Sequence, residues 1–426
     1  MRILSADWVV PVEGDPIEHG AVAIGDDGRI AAVGPAADLG EGERFPEAVI
    51  VPGFVDAHSH VEYASYAGFG DGLPFPPWIG LHVRRKALLG DEEMDAIARL
   101  GAAECLRSGI TTIGDCSFSG AAALAAGELG LRAIVYLEVF GEDGSALERY
   151  AELRARVEHV ESERVRLGVS PHAPYTCGVE AYAAAAALGV PLATHLCESE
   201  PELEYVLHGT GPWEAIADYL VPPLGRPAVA ALEDAGVLRP GLVAAHCVHV
   251  SDDEMGVLAR RGVAVAHCPR SNALLGCGTA PLAALLDAGV TVAIATDSPA
   301  STPSFDMFEE LRAAIMAARA RERRPDALTS RRALELATLG GARALGLERE
   351  VGSLLPGKRA DLAVVSLADS PFLPVEDPAA AVVLGGSPDR VIATLVDGDE
   401  RYRRGGTAWR ALTSAARAAR ARMLRG

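Results

Sequence analysis

The sequence predicts an α/β protein: a (β/α)8 TIM barrel carrying a small composite β-sandwich built from both chain ends. Three observations predict it. Eight apolar strand candidates alternate with Ala- and Leu-rich stretches of helical spacing between Val49 and about Leu347. The polar residues of that region gather at the C-terminal ends of the strands, where barrels of this kind carry their sites. Strand-like text without intervening helices occupies both ends of the chain.

Taken in order, residues 1–52 read as short strands. Trp8-Val-Val-Pro-Val12 and Ala21-Val-Ala-Ile24 are apolar, and Gly25-Asp-Asp-Gly28 is a hairpin-type turn. This is too little chain for a domain of its own. The eight barrel strands are expected at Val49–His60, Gly109–Ser117, Leu131–Gly141, Val165–Pro174, Val190–Ser199, Gly241–Ser251, Val263–Asn272 and Val290–Pro299. Helices lie between them, as at Met94–Arg107, Leu147–Glu161 and Asp252–Arg261, and several end in glycine just before the next strand. A doubly wound open sheet would want a Gly-rich phosphate loop after its first strand, and none is present. Beyond Leu347, Gly352–Ser366 and Arg390–Gly398 return to strand-like text and are expected to pair with residues 1–52. The expected units are therefore 1–52 (first part of the sandwich), 53–347 (barrel) and 348–426 (second part, with a C-terminal helix). That helix, Ala408–Arg422, is basic and amphipathic and reads as one packed on the surface or at a subunit contact.

Composition narrows the function classes. Hydrophobic residues make up 49% and charged residues 23%, as in a globular protein. A formal net charge of -19, with no basic block before the C-terminal helix, argues against a nucleic-acid backbone or an anionic membrane as partner. Seven cysteines, an odd number with no Cys-x-x-Cys, argue against a disulfide framework. Asp7 interrupts the N-terminus too early for a signal-peptide core and no apolar run could span a bilayer, so a cytoplasmic location is expected. Lysine occurs only at positions 86 and 358 against abundant arginine, which reads as compositional bias. Symmetric pairs are the commonest oligomers, which makes a homodimer the expected assembly.

The chemistry starts at Val49-Ile-Val-Pro-Gly-Phe-Val-Asp-Ala-His-Ser-His60. Residues i and i+2 of a strand share a face, so His58 and His60 can reach one ion. His195 ends the fifth strand and Asp297 the eighth. Three imidazoles and a carboxylate suit one divalent metal ion, zinc with iron as the alternative, leaving a position for water. Asp297 could both ligate and take the water's proton. Glu198, three residues past His195, could shuttle a proton onto a substrate ring nitrogen and later onto the leaving group. His246 could orient the attacking water or serve as a further ligand. The fourth strand ends Val169-Ser-Pro-His-Ala-Pro174, without the bridging lysine or glutamate of binuclear barrel hydrolases, which favours a single ion.

Pro52-Gly-Phe-Val-Asp-Ala-His-Ser-His60, Ser170-Pro-His-Ala-Pro-Tyr-Thr-Cys177, Thr194-His-Leu-Cys-Glu198, His246-Cys-Val-His249, Cys268-Pro-Arg-Ser-Asn272 and Thr296-Asp-Ser298 together resemble the amidohydrolase superfamily, in its cytosine deaminase/chlorohydrolase branch. The segment around Ser170–Cys177 is similar to that of methylthioadenosine/S-adenosylhomocysteine deaminases, which implies that His172 contacts substrate. Trp78-Ile-Gly-Leu81, Leu137-Glu-Val-Phe-Gly141 and Pro269–Gly276 resemble aminodeoxyfutalosine deaminases of menaquinone biosynthesis. That resemblance implies Trp78, Glu138 and Arg270 as substrate-binding residues, with Arg270 meeting a benzoate carboxylate and Arg84 or Arg85 as other candidates. The implied reaction is hydrolytic attack at C6 of an adenine nucleoside, best matched by 6-amino-6-deoxyfutalosine. Glu198 would protonate the adjacent ring nitrogen and Asp297 would deliver a proton to the departing amine. A chlorohydrolase or a guanine or cytosine deaminase would use the same centre. A catalytically inactive barrel used as a binding module is the rival from another class, and the complete ligand set speaks against it.

Overall fold

The computed structural model describes residues 1–406 and 408–425; Thr407 and Gly426 lie outside the described residues. Eight parallel strands form the barrel sheet: β1 (Phe54–Ser59), β2 (Ile110–Ser117), β3 (Arg132–Val139), β4 (Val165–Pro171), β5 (Leu192–Leu196), β6 (Leu242–His246), β7 (Ala264–His267) and β8 (Thr291–Ile294). Each pairs with its sequence neighbour along the sheet. The seam between β8 and β1 closes just past the strand ends. There the Asp297 N–H donates to the His58 carbonyl at 3.0 Å, and Ser59 and Asp297 form an isolated parallel bridge. Asp56 of β1 adds to the seam: its buried carboxyl accepts from the backbone N–H of Thr296 at 3.0 Å and from the Thr296 hydroxyl.

The expected first strand, Val49–His60, is two strands. Glu43–Pro52 belongs to a sheet from the chain ends and β1 to the barrel, with Gly53 between them. A Cβ at Gly53 would stand 2.2 Å from the Thr111 side chain, so only glycine lets the chain pass from one sheet to the other this close to β2. Strands from both chain ends share one continuous mixed sheet. Its order is Asp399–Arg403, Val391–Val396, Leu362–Ser366, Glu43–Pro52, Arg2–Val9, Gly20–Ile24 and Ile30–Pro35. Glu43–Pro52 lies parallel to Arg2–Val9 and antiparallel to Leu362–Ser366, so it ties the two ends together. Leu4, Val22, Ile50, Leu362 and Leu395 pack into a separate apolar core beneath this sheet.

Arg132, at the start of β3, couples the sheet to the barrel. Its buried guanidinium reaches Asp361 at 2.9 Å and Asp397 at 2.5 Å. The seventh expected strand also differs. It stops at His267, and Pro269 starts a short helix, Pro269–Leu274, because its fixed φ and missing N–H suit a first helical turn. Arg270 and Asn272 therefore stand on a helix and not on a strand end.

The C-terminal helix, Ala408–Met423, packs on the helix Asp91–Arg107. Its Arg420 donates to the carbonyls of Ser65 and Ala67, on the loop that follows His60. Among the described residues no helix is long and apolar enough to cross a membrane.

Candidate active site

At the C-terminal mouth of the barrel lies a cavity of about 310 Å³. His60, Glu138, His172, His195, Glu198, His246 and Asp297 line it, with Trp78, Phe75, Ile79, Tyr219 and Leu275 forming an apolar wall. His58 sits just behind this surface, buried.

The histidines are oriented from below. His60 Nδ1 lies 2.8 Å from the Cys116 carbonyl and His195 Nδ1 lies 2.8 Å from the His172 carbonyl. A carbonyl only accepts, so each Nδ1 carries the hydrogen and each Nε2 of the neutral ring is a lone pair. Burial, the largest influence, keeps both rings neutral: it lowers His60 to about 3 and His195 well below its ordinary value, and neighbouring imidazoles add to the effect. The two Nε2 atoms face each other at 3.2 Å. Two lone pairs at that distance repel unless a cation sits between them. Nitrogens each ~2.0–2.1 Å from one tetrahedral ion stand roughly 3.3 Å apart. His58 Nε2 is buried with no hydrogen-bond partner, 3.6 Å from Asp297 Oδ1, and His60 Nε2 is equally 3.6 Å from it. Ligand atoms of His58, His60 and His195 all lie within 4.8 Å of one another. The donor set fits a divalent cation, with carbonyls fixing the ring tautomers as outer partners usually do.

Asp297 and His246 both hold left-handed backbone, with φ of 59° and 72°, which is uncommon outside glycine and concentrates at functional positions. Ser271 and Ser301 donate to Asp297 Oδ2, at 2.5 Å and 2.9 Å, which turns Oδ1 toward the histidines. Burial pushes the Asp297 carboxyl up, while its proximity to His58, His246 and His60 pulls it below the ordinary carboxylate value. Glu198 behaves oppositely: burial, with the negative charges of Asp297 and Glu202, drives its carboxyl well above the ordinary carboxylate value. Its Oε2 is 3.7 Å from His246 Nε2. Two buried carboxyls shifted in opposite directions thus stand beside a nitrogen cluster that can hold a metal. Such an arrangement can give and take protons during hydrolysis.

The residues expected from sequence divide clearly. His58, His60, His195, Glu198, His246 and Asp297 converge, and His172, Glu138 and Trp78 line the same cavity. Arg270 does not line it. Its guanidinium is held by Glu310, by Glu309 at 2.8 Å and by the Ser304 carbonyl at 2.8 Å, so the expectation that it meets a substrate carboxylate is corrected. Arg84 is exposed, and Arg85 stacks on Phe69 at 3.6 Å; neither lines the cavity. The cation that does is Lys86, which had read as compositional bias. Glu202 was also missed. Its buried carboxylate accepts the N–H groups of Cys197 and Glu198, and its sequence signal is its place three residues after the helix-capping Ser199.

Comparison with known proteins adds family-level findings. The profile described as "Amidohydrolase family" matches residues 49–401. A 5-methylthioadenosine/S-adenosylhomocysteine deaminase of Moorella thermoacetica is 36% identical over 423 residues, covering 95% of each chain. A 5'-deoxyadenosine deaminase of Methanothermobacter thermautotrophicus is 33% identical, covering 90% of this chain and 89% of its own. The crystal structure of an adenosine deaminase from Xanthomonas campestris with bound zinc superposes with a TM-score of 0.88 at 29% identity, covering 100% of this chain and 98% of its own.

Proposed function

The chain belongs to the amidohydrolase family and is a hydrolase of carbon–nitrogen bonds, and we propose that it deaminates the adenine ring of a nucleoside, leaving a hypoxanthine ring and ammonia. The observation that carries this reading is the convergence of Glu198, His246 and Asp297 on the His58/His60/His195 cluster. The named activities of the deaminase relatives support it, since each acts on an adenine nucleoside.

His58, His60, His195 and Asp297 would hold the metal, for which we propose zinc, with iron as the alternative. A cation there supplies Lewis acidity that makes water reactive at neutral pH. The chain's own groups then handle the protons. As the new C6–O bond forms, Glu198 donates to ring N1 and Asp297 accepts a proton from the attacking water. Asp297 passes that proton to the exocyclic amine, the C6–N bond breaks and ammonia leaves. The water oxygen becomes the C6 carbonyl, and its second proton returns Glu198 to its starting state. His246, with Nδ1 held 3.0 Å from Asn272 Oδ1, presents Nε2 to the attacking side, and His172 lies where the ring is received.

For the substrate we propose 6-amino-6-deoxyfutalosine, on the menaquinone pathway. The apolar wall of Phe75, Trp78, Ile79, Tyr219 and Leu275 suits an aromatic 5′ substituent. The test is ammonia release by metal-replete protein from 6-amino-6-deoxyfutalosine, adenosine, 5′-deoxyadenosine, methylthioadenosine, S-adenosylhomocysteine, guanine and cytosine. Preference for the futalosine supports the full reading. Preference for another adenine nucleoside retains the reaction and replaces the substrate. Turnover of guanine or cytosine alone overturns both.

A further inference from the structure

Lys86 and Glu138 face the cavity from opposite elements and do not touch. Lys86 ends the helix Phe75–Lys86, and Glu138 lies near the end of β3. The Lys86 ammonium rests 3.4 Å over the ring of Phe118 and donates to the Tyr63 hydroxyl at 2.8 Å. An ammonium has three donors, so two remain. The chain's other lysine, Lys358, pairs with Glu13 at 3.3 Å, but among the described residues no carboxylate comes within 4.0 Å of Lys86. Glu138 is 2% exposed, yet its carboxylate takes no hydrogen bond from any described residue. Each group still senses the other: burial raises Glu138 to about 7 and lowers Lys86 to about 8, and in both cases the partner's charge opposes the shift.

The neighbouring charges are engaged elsewhere. Glu62 accepts from the Ser117 hydroxyl and from the Ser119 N–H at 3.0 Å. Arg149 donates to the Glu138 carbonyl at 3.0 Å and to the Phe118 carbonyl, fixing the ends of β3 and β2. What remains on the cavity wall is a half-buried donor and a buried acceptor, attracted to each other and separated by a gap.

We propose that Lys86 and Glu138 together read the ribose cis-diol of the substrate, a hydroxyl donating to Glu138 while accepting from Lys86. This rests on the adenine-nucleoside reading above and makes Lys86 a specificity-determining residue. A hydroxyl is both donor and acceptor, which matches a wall that offers one of each. A substrate carboxylate matches it poorly, because it would approach Lys86 beside the like charge of Glu138. The pair also gives the site a reason to prefer a nucleoside to a free base.

Adenosine and 2′,3′-dideoxyadenosine differ only at the diol, so the ratio of their kcat/KM values reads the pair directly. A site built to bind a hydroxyl strongly rejects an analogue lacking it, so the expected wild-type ratio is at least about 100. Glu138→Gln and Lys86→Met should each bring the ratio within about tenfold of unity, as loss of a hydrogen bond to a charged group predicts. Lys86→Arg should keep part of it. Metal content and Tm, measured for each variant, separate this from loss of the fold. A wild-type ratio near one overturns the diol assignment and leaves the adenine-nucleoside reading standing. Equal losses on both substrates in the variants overturn it as well, because they mark a structural role. Absence of ammonia from every adenine nucleoside overturns the underlying reading and the diol assignment with it.

Discussion

The Glu202 carboxylate accepts the backbone N–H of Glu198 at 2.7 Å and, through its other oxygen, that of Cys197 at 2.9 Å. Cys197 is left-handed, with a φ of 51°, so the turn that aims Glu198 at the histidine cluster is strained and is held by one buried side chain four residues on.

Glu202→Ala should therefore cost both stability and rate. Leaving two buried N–H groups unpaired costs roughly 1–3 kcal/mol each. Turnover should fall about 10-fold to 100-fold as Glu198 loses its position, in line with the cost of small misplacements at reacting centres. Chemical denaturation and steady-state kinetics on the same preparation check both effects. Glu202→Gln, which keeps one acceptor, should recover part of each.

Glu198→Gln removes the transferable proton and keeps the shape. Bound metal per chain should match wild type, while kcat falls ~10²- to 10⁴-fold, the usual share of a general acid. Near-normal turnover would remove Glu198 from the proposed mechanism.

His195→Ala should abolish metal retention. After dialysis against chelator and return to one equivalent of zinc, wild type should hold about one ion per chain and the variant far less, as mass-spectrometric metal analysis would report. Full zinc occupancy in the variant would show that the facing nitrogens of His60 and His195 do not share an ion.

Arg132→Met tests the joint between barrel and end sheet. Removing one partner of a buried charge cluster costs about 3–5 kcal/mol. The midpoint of urea unfolding should drop accordingly. Because Arg132 opens β3 and lies away from the cavity, kcat/KM should stay within about twofold of wild type under folding conditions.

Much of the barrel could be read in advance because its signals are local. Strand–helix alternation is written in short windows, and His58 and His60 declare a shared face by their spacing alone. What stayed hidden depends on residues far away in sequence. Nothing near Arg270 says that Glu309 and Glu310 will claim its guanidinium, although Pro269 could have signalled the helix that carries it. Lys86 looked like a statistical leftover because its meaning comes from Phe118, Tyr63 and Glu138, on other elements. The left-handed backbones of His246 and Asp297 carry no glycine to announce them.

The seam that joins Asp56 to Thr296 spans 240 residues. At a synthesis rate of ~5–20 residues per second, β1 leaves the ribosome on the order of 10–50 s before the segment that closes against it. Over that interval His58 and His60 have been made and Asp297 has not, so the set of side chains is incomplete. On that timing the proposed ligand set is complete only once the last barrel strand has been made.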